Sequence, residues 1–229
     1  MASSLLKDGI VGTSTTPSTQ QPGTLVIGLT GGIASGKSTV SALLVEQGAA
    51  LVDADQVARD VVAPGSPGLQ AVVEAFGSTV RLPTGGLDRK ALGAIVFATP
   101  AQLKRLEAIL HPLIRAQIST QIAAFRAATY PLILLDAALL VEMGLHQHCD
   151  RVVVVYCGPE LQVARVVARD GLDVAHAEQR LAAQTDDLTR LAVADYAIDN
   201  QGSLQELEAD VDTLWKRLTT QEAGHDGAT

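Results

Sequence analysis

The chain has 229 residues, 47% hydrophobic and 3% aromatic, with a formal net charge of −8. That composition supports a packed interior of Leu, Val, Ile and Ala, which suits parallel strands covered by helices. The acidic balance argues against non-specific attraction to nucleic acid or an anionic membrane, and the scarcity of aromatic rings argues against base-stacking platforms.

Residues 1–23 combine Ser, Thr, Gln, Gly and Pro with only brief apolar pairs, so neither a signal-peptide core nor a membrane span is present there, and a disordered leader is expected. Leu25, Val26, Ile27 and Leu29 then form a short apolar run, as in a strand buried on both faces. Residues 30–39 read TGGIASGKST, in which Gly31, Gly36, Lys37 and Ser38 satisfy the P-loop pattern G-x-x-x-x-G-K-[ST]. In that pattern the backbone from Gly32 through Ile33, Ala34, Ser35 and Gly36 to Thr39 wraps phosphate oxygens. Lys37 reaches the terminal phosphates and Ser38 holds magnesium. Val40, Leu43 and Leu44 recur at helical spacing, so the loop opens a helix whose N-terminal dipole favours anions.

A second strand at 50–52 follows Gly48 and leads to Asp53 and Asp55. In an open parallel sheet, ligands bind at the carboxyl ends of strands, so both aspartates are expected at the P-loop's edge. Residues 57–128 read as helical. Leu69, Val72, Val73 and Phe76 share a face with Gly77 as a stop, and Thr99, Pro100 and Gln102 begin a helix through Leu110. His111 and Pro112 are expected to interrupt it, with Pro112 starting another helix whose stripe is Leu113, Ile114, Ile118, Ile122 and Phe125. Such a helical insertion is where many P-loop kinases keep the acceptor substrate.

The run at 132–135 ends in Asp136, which resembles a Walker B position assisting magnesium; a turn role at a strand end is the competing reading. A fourth strand occupies 152–155. Pro159 then starts a helix carrying Arg165 and Arg169, four residues apart and so on one face. Asp170 and Gly171 break it before a second helical piece at 175–184 bearing Arg180, and the pair makes a lid. A fifth strand at 196–198 ends at Asp199 and Asn200, and Ser203 with Glu206 forms a capping box for a last amphipathic helix. The tail at 222–229 is polar and expected to be disordered.

The expected fold is α/β, a P-loop kinase fold with a five-stranded parallel sheet flanked by helices. Its nucleotide-binding core takes 24–56, 129–158 and 190–221, the helical acceptor insertion 57–128, and the lid 159–189. A P-loop alone does not separate kinases from GTPases, ATPases or nucleotide sensors. The guanine-reading N-K-x-D sequence does not occur. A small-molecule kinase needs an acceptor pocket, a carboxylate near the attacking hydroxyl and arginines for the transferring phosphoryl group, and this chain offers all three. Cys149 and Cys157 have neither C-x-x-C nor metal-ligand spacing, so a reducing, cytoplasmic setting is expected.

Six segments occur in order: TGGIASGKST, VDADQVAR at 52–59, HP at 111–112, LLVE at 139–142, ARVVARDG at 164–171 and DYAIDNQG at 195–202. Together they resemble the dephospho-CoA kinase family over roughly residues 25–218. The resemblance implies transfer of the ATP γ-phosphate to the ribose 3′-hydroxyl of dephospho-CoA, with Mg2+ accompanying ATP, to give coenzyme A and ADP. It implies that Asp55, matching the second aspartate of the family's D-x-D, orients or deprotonates the acceptor hydroxyl. Positioning is the larger part, since a loose transition state asks little of a base. Asp53 has more than one reading: assistance to Asp55 at the acceptor substrate, a water-mediated magnesium contact, or a helix cap.

Arg165 matches a lid arginine of the family that stabilises the transferred group; Arg169, as an ATP contact, and Arg180 are secondary. Arg59, His111 and Leu139 fall in motifs associated with dephospho-CoA, although His111 also reads as a helix-junction residue. Two positions depart from the family pattern. Ala34 replaces the glycine of GGIGSGKS, which requires a position without left-handed backbone. Ala138 replaces the proline of PLL, which is expected to loosen the loop after the third strand. Another small-molecule or nucleoside monophosphate kinase is the alternative; a non-catalytic adaptor would be expected to lack Lys37, Asp55 or the lid arginines. No nucleic-acid or membrane partner is expected, and a monomer is the favoured state.

Overall fold

The computed structural model describes residues 10–12 and 24–220. The expected tail and the rest of the expected leader lie outside those residues. Strands β1 (Ile10–Gly12), β2 (Leu25–Gly31), β3 (Ala50–Asp53), β4 (Leu132–Asp136), β5 (Arg151–Tyr156) and β6 (Tyr196–Asp199) form a sheet in the order β1-β6-β5-β2-β4-β3. The P-loop strand β2 pairs in parallel with β4 and β5, and β5 pairs in parallel with β6. The five-stranded parallel sheet flanked by helices is therefore present.

One difference lies at its edge. Ile10–Gly12, within the expected leader, pairs antiparallel with β6, Ile10 opposite Ile198. An edge strand exposes a row of unpaired backbone groups, and even a three-residue segment rich in β-branched residues satisfies part of it.

The chain divides into two compact units, Met1–Leu51 with Phe125–Thr229, and Val52–Ala124. In the first, α1 (Lys37–Glu46) and α9 (Leu204–Thr220) pack together against the sheet. Alternation along the strands sends Ile27, Leu29, Leu132, Leu134, Val153, Val155 and Ile198 into one core with Val40, Leu44, Val211 and Leu214. The opposite face buries Val26, Ile133, Leu135 and Val154. The expected capping box holds, since Ser203 N–H donates to Glu206 Oε2 and Glu206 N–H donates to Ser203 Oγ. Helices α6 (Pro159–Asp170), α7 (Val174–Ala182) and α8 (Asp187–Leu191) follow β5. The reading of the sequence included the first two and missed α8, a single short turn capped by Asp186.

The second unit is built from α2 (Ala54–Asp60), α3 (Pro67–Phe76), α4 (Arg89–Val96) and most of α5 (Pro100–Ala127) around Val62, Val72, Val80, Leu92 and Val96. Here the structure overturns one expectation. His111 and Pro112 do not end a helix; α5 runs through both for 28 residues. A proline inside a helix lacks one hydrogen bond and crowds the preceding turn, costing about 3 kcal/mol. The apolar stripe continues on both sides, with Leu106, Ile109 and Leu110 packed on the unit's core and Ile114 and Ile118 buried beyond it. Those side chains each contribute about 1.5–3 kcal/mol on burial, so packing outweighs the local defect.

Among the described residues no helix is long and apolar enough to cross a membrane. Pro112→Ala is expected to stabilise the protein by about 2 kcal/mol, the helix gain less the entropy returned to the unfolded chain. Urea unfolding followed by circular dichroism measures it, and an unchanged or lower midpoint would contradict this account of α5.

Candidate active site

The parallel register sets Asp136 opposite Leu29, two residues before the P-loop's first glycine. Lys37, at the start of α1, is therefore within reach of Asp136, and its Nζ donates to Asp136 Oδ1 with both side chains largely buried. Gly36 is the N-cap of α1 at φ 97°, a left-handed conformation that glycine adopts freely, and a Cβ there would collide with the Asn200 amide. Asn200 Nδ2 donates to Ser35 O at 2.8 Å, pinning the loop to the end of β6.

Within the loop some N–H groups are engaged and others are not. Ser35 N–H donates to Gly32 O, Thr39 N–H to Gly36 O, and Ile33 N–H to Gln184 Oε1 at 2.8 Å. The N–H groups of Ala34, Gly36, Lys37 and Ser38 make no hydrogen bond to the described residues. Four free donors within five residues at a helix N-terminus, with the Lys37 side chain beside them, constitute an anion cradle suited to a polyphosphate.

Ala34 corrects a second expectation. Its φ is 57°, so this alanine occupies the left-handed region that its presence was taken to exclude. For an L-residue that conformation costs roughly 1–2 kcal/mol and persists only where surroundings over-determine it. Arg165 is one such surrounding group. Its NH1 donates to Ala34 O at 3.3 Å and its NH2 to Asn200 O at 3.0 Å.

Arg169 does not join it. Although four residues away on α6, it is exposed and donates to Asp170, which also accepts from Arg180 at 2.8 Å. Hydrogen bonding from Arg169, with the charges of Arg169 and Arg180, holds the Asp170 carboxyl below its usual range.

Several neighbours of the loop were not foreseen. Gln162 Nε2 donates to Ile33 O at 3.0 Å, and a Cβ on Gly32 would press on Gln162, Arg190 and Asp187. Arg190 is 2% exposed, 3.2 Å from Asp187 and 3.7 Å from Glu142, with its Nε unpartnered. Burial raises the Asp187 carboxyl against the lowering effect of Arg190. Asn200 and Glu142 did lie in quoted segments. For Gln162 the available signal was a polar residue on the buried stripe of α6 one turn before Val166.

The loop bearing Ala138 has restraints other than a proline ring. Ala137 N–H donates to Leu29 O, Thr30 Oγ1 donates to Ala138 O, and Leu140 is fully buried while its carbonyl accepts from Leu145. Hydrogen bonds and an apolar anchor replace the ring's rigidity. Leu139, next to that anchor, is 48% exposed.

The remaining predicted residues belong to the other unit. Asp53 caps α2, its Oδ1 accepting from Gln56 N–H at 2.9 Å. Asp55 lies exposed in the first turn of that helix, and Arg59 in its last, within 3.4 Å of Gln56 Oε1. His111 is inside α5, where its carbonyl accepts from Arg115. No group of three or more His, Cys, Asp or Glu suited to a metal occurs among the described residues.

The comparisons fit this geometry. The family model described as dephospho-CoA kinase matches residues 25–206, from the P-loop strand into α9. A dephospho-CoA kinase of Geobacter sulfurreducens is 49% identical over 192 residues, covering 84% of this chain and 98% of that protein. One from Streptomyces avermitilis is 51% identical over 194 residues, covering 85% and 94%. The chain belongs to the dephospho-CoA kinase family. In three dimensions, the dephospho-CoA kinase of Campylobacter jejuni superposes with a TM-score of 0.66 at 27% identity, covering 86% of this chain and 98% of that one. Membership in this family of kinases accounts for the order of the six segments, all of which fall inside the matched span.

Two predictions follow from the loop and its surroundings. Ala34→Gly is expected to stabilise the protein by about 0.5–1 kcal/mol, the relief of left-handed strain less the entropy of glycine; chemical unfolding reads it, and destabilisation would mean that the strain is absent. Both thiols are held protonated. Burial, aided by Asp150, pushes Cys149 up to about 12, and burial raises Cys157 despite Arg165. A thiol reagent at pH 8 should label neither quickly in the native protein and both after denaturation.

Proposed function

We propose that this protein transfers the γ-phosphoryl group of ATP to the ribose 3′-hydroxyl of dephospho-CoA, forming coenzyme A and ADP. The observation carrying this reading is the free-donor cradle with Lys37 and Asp136 beside it, in a chain that belongs to the dephospho-CoA kinase family. The acceptor oxygen attacks Pγ, the bond from Pγ to the β–γ bridging oxygen breaks, and the hydroxyl proton passes to a carboxylate or to water.

Each residue has a role in that exchange. Lys37 neutralises β- and γ-phosphate charge, and the N–H groups of Ala34, Gly36, Lys37 and Ser38 hold phosphate oxygens. The Ser38 hydroxyl and Asp136 carboxylate are hard oxygen donors of the kind magnesium takes, and they would hold Mg2+ accompanying ATP. Bound there, the ion supplies charge neutralisation at the phosphate oxygens. Arg165, tied to the loop through Ala34 O, faces the transferred group. Asp55 is assigned to orienting the acceptor hydroxyl, and Asp53 to support of α2, as its cap bond favours. Arg59, His111 and Leu139 remain assigned to dephospho-CoA, with the unit Val52–Ala124 as the acceptor-binding part. Two free cysteines suit a reducing, cytoplasmic setting.

The test is turnover by the purified protein with Mg·ATP and a panel of dephospho-CoA, adenosine, AMP, CMP and shikimate. ADP release with dephospho-CoA alone is expected; release only with another acceptor would refute the assignment and leave a kinase of different specificity. Lys37→Ala is expected to lower kcat by about 10²–10³-fold in a folded protein. Asp55→Asn should lower kcat strongly with a smaller effect on KM for ATP, and near-full turnover would remove its role.

A further inference from the structure

The corner Ile33–Ala34 is held by three side chains. Ile33 N–H donates to Gln184 Oε1 at 2.8 Å and Ile33 O accepts from Gln162 Nε2 at 3.0 Å, while Ala34 O accepts from Arg165 NH1 at 3.3 Å. Three of the four backbone polar groups of these two residues are thus bonded to side chains from α6 and from the segment just after α7. The fourth, Ala34 N–H, has no partner among the described residues.

We propose that Gln162 and Gln184 are positioning residues that clamp the strained Ile33–Ala34 corner and aim Ala34 N–H at the terminal phosphates of the nucleotide. The physical argument starts from the planarity of the peptide bond. The carbonyl of Ile33 and the N–H of Ala34 belong to one trans peptide and point in opposite directions, so a donor on the carbonyl fixes the aim of the N–H. The peptide must be held because Ala34 is left-handed at φ 57° without glycine's freedom. Gln162, 5% exposed, is set by its packing on α6 and supplies the donor. Gln184 accepts from Ile33 N–H, which belongs to the preceding Gly32–Ile33 peptide, so the two glutamines fix the peptide planes on both sides of Ile33 and limit its rotation. Neither glutamine touches substrate in this assignment; each acts through the backbone. It also links the segment after α7 to the loop, so that the lid's arrangement and the cradle's geometry are one property.

This inference rests on the loop's binding the phosphates of ATP, part of the function proposed above, but its test needs no acceptor. Affinities for ATP and for AMP, with magnesium, are measured by calorimetry on the full chain. The variants are Gln184→Met, which keeps size and removes the acceptor, and the same change in an Ala34→Gly background. Gln184 is only half-buried, so the variant is expected to fold, and a thermal melt checks it. Gln184→Met should weaken ATP binding about five- to tenfold, the worth of one positioned hydrogen bond, and leave AMP, which lacks the terminal phosphates, within about twofold. In the Ala34→Gly background, where the corner is unstrained, the loss should shrink to about twofold. Equal losses for ATP and AMP, no loss for either, or an undiminished loss with glycine at position 34 would each overturn the clamp. Failure of the wild type to turn over dephospho-CoA while ATP still binds would bear on the proposed reaction and not on the clamp.

Discussion

A phosphate cradle made of backbone N–H groups imposes an asymmetric demand on a buried loop. The donors must be left without protein partners, yet an unpaired buried carbonyl costs free energy, so the loop's carbonyls must find donors elsewhere. Ile33 O takes Gln162, Ala34 O takes Arg165, Ser35 O takes Asn200, and Gly36 O takes the first turn of α1. Everything around the loop follows from supplying those donors. The order β6-β5-β2-β4 places the ends of β4 and β6 and the helix after β5 around one strand end. Ligand sites of open parallel sheets lie at such ends because several independent chain segments converge there.

Charge is arranged by the same requirement. Three cationic side chains surround the loop in a chain of net charge −8, and each is already engaged: Lys37 by Asp136, Arg165 by two carbonyls, Arg190 by Asp187 and Glu142. A guanidinium as buried as Arg190 requires partners, since an isolated buried charge is costly. Arg169 and Arg180 differ in this respect. They are solvated and share the Asp170 carboxylate, so they hold α6 and α7 at their junction without facing the cradle. Similar spacing on one helix thus produced two arginines with different surroundings.

Much of this was legible in the sequence, for identifiable reasons. The P-loop, the five parallel strands, the caps at Thr99 and Ser203 and the helices α6 and α7 are written in local periodicity and turn chemistry over a few residues each. The misreadings were places where a distant contact outweighs a local preference. Pro112 lies within α5 because packing on both sides outweighs one lost hydrogen bond. Ala34 is left-handed because three side chains hold its neighbourhood. Ile10–Gly12 is a strand because β6 offers an open edge.

From the amino-acid order alone came the fold class, the phosphate-binding loop with its lysine and serine, and the family, because these depend on contiguous residues whose spacing is itself the chemistry. The tertiary structure decided which residues complete the loop. Gln162, Gln184, Arg190 and Asn200 are separated from it by more than 120 positions in the chain. A glutamine or asparagine carries no local signature of its partner, since it bonds equally well to water or to any backbone group. Only the tertiary arrangement that brings the segments bearing these side chains around the end of β2 selects the particular carbonyls and N–H groups that they hold.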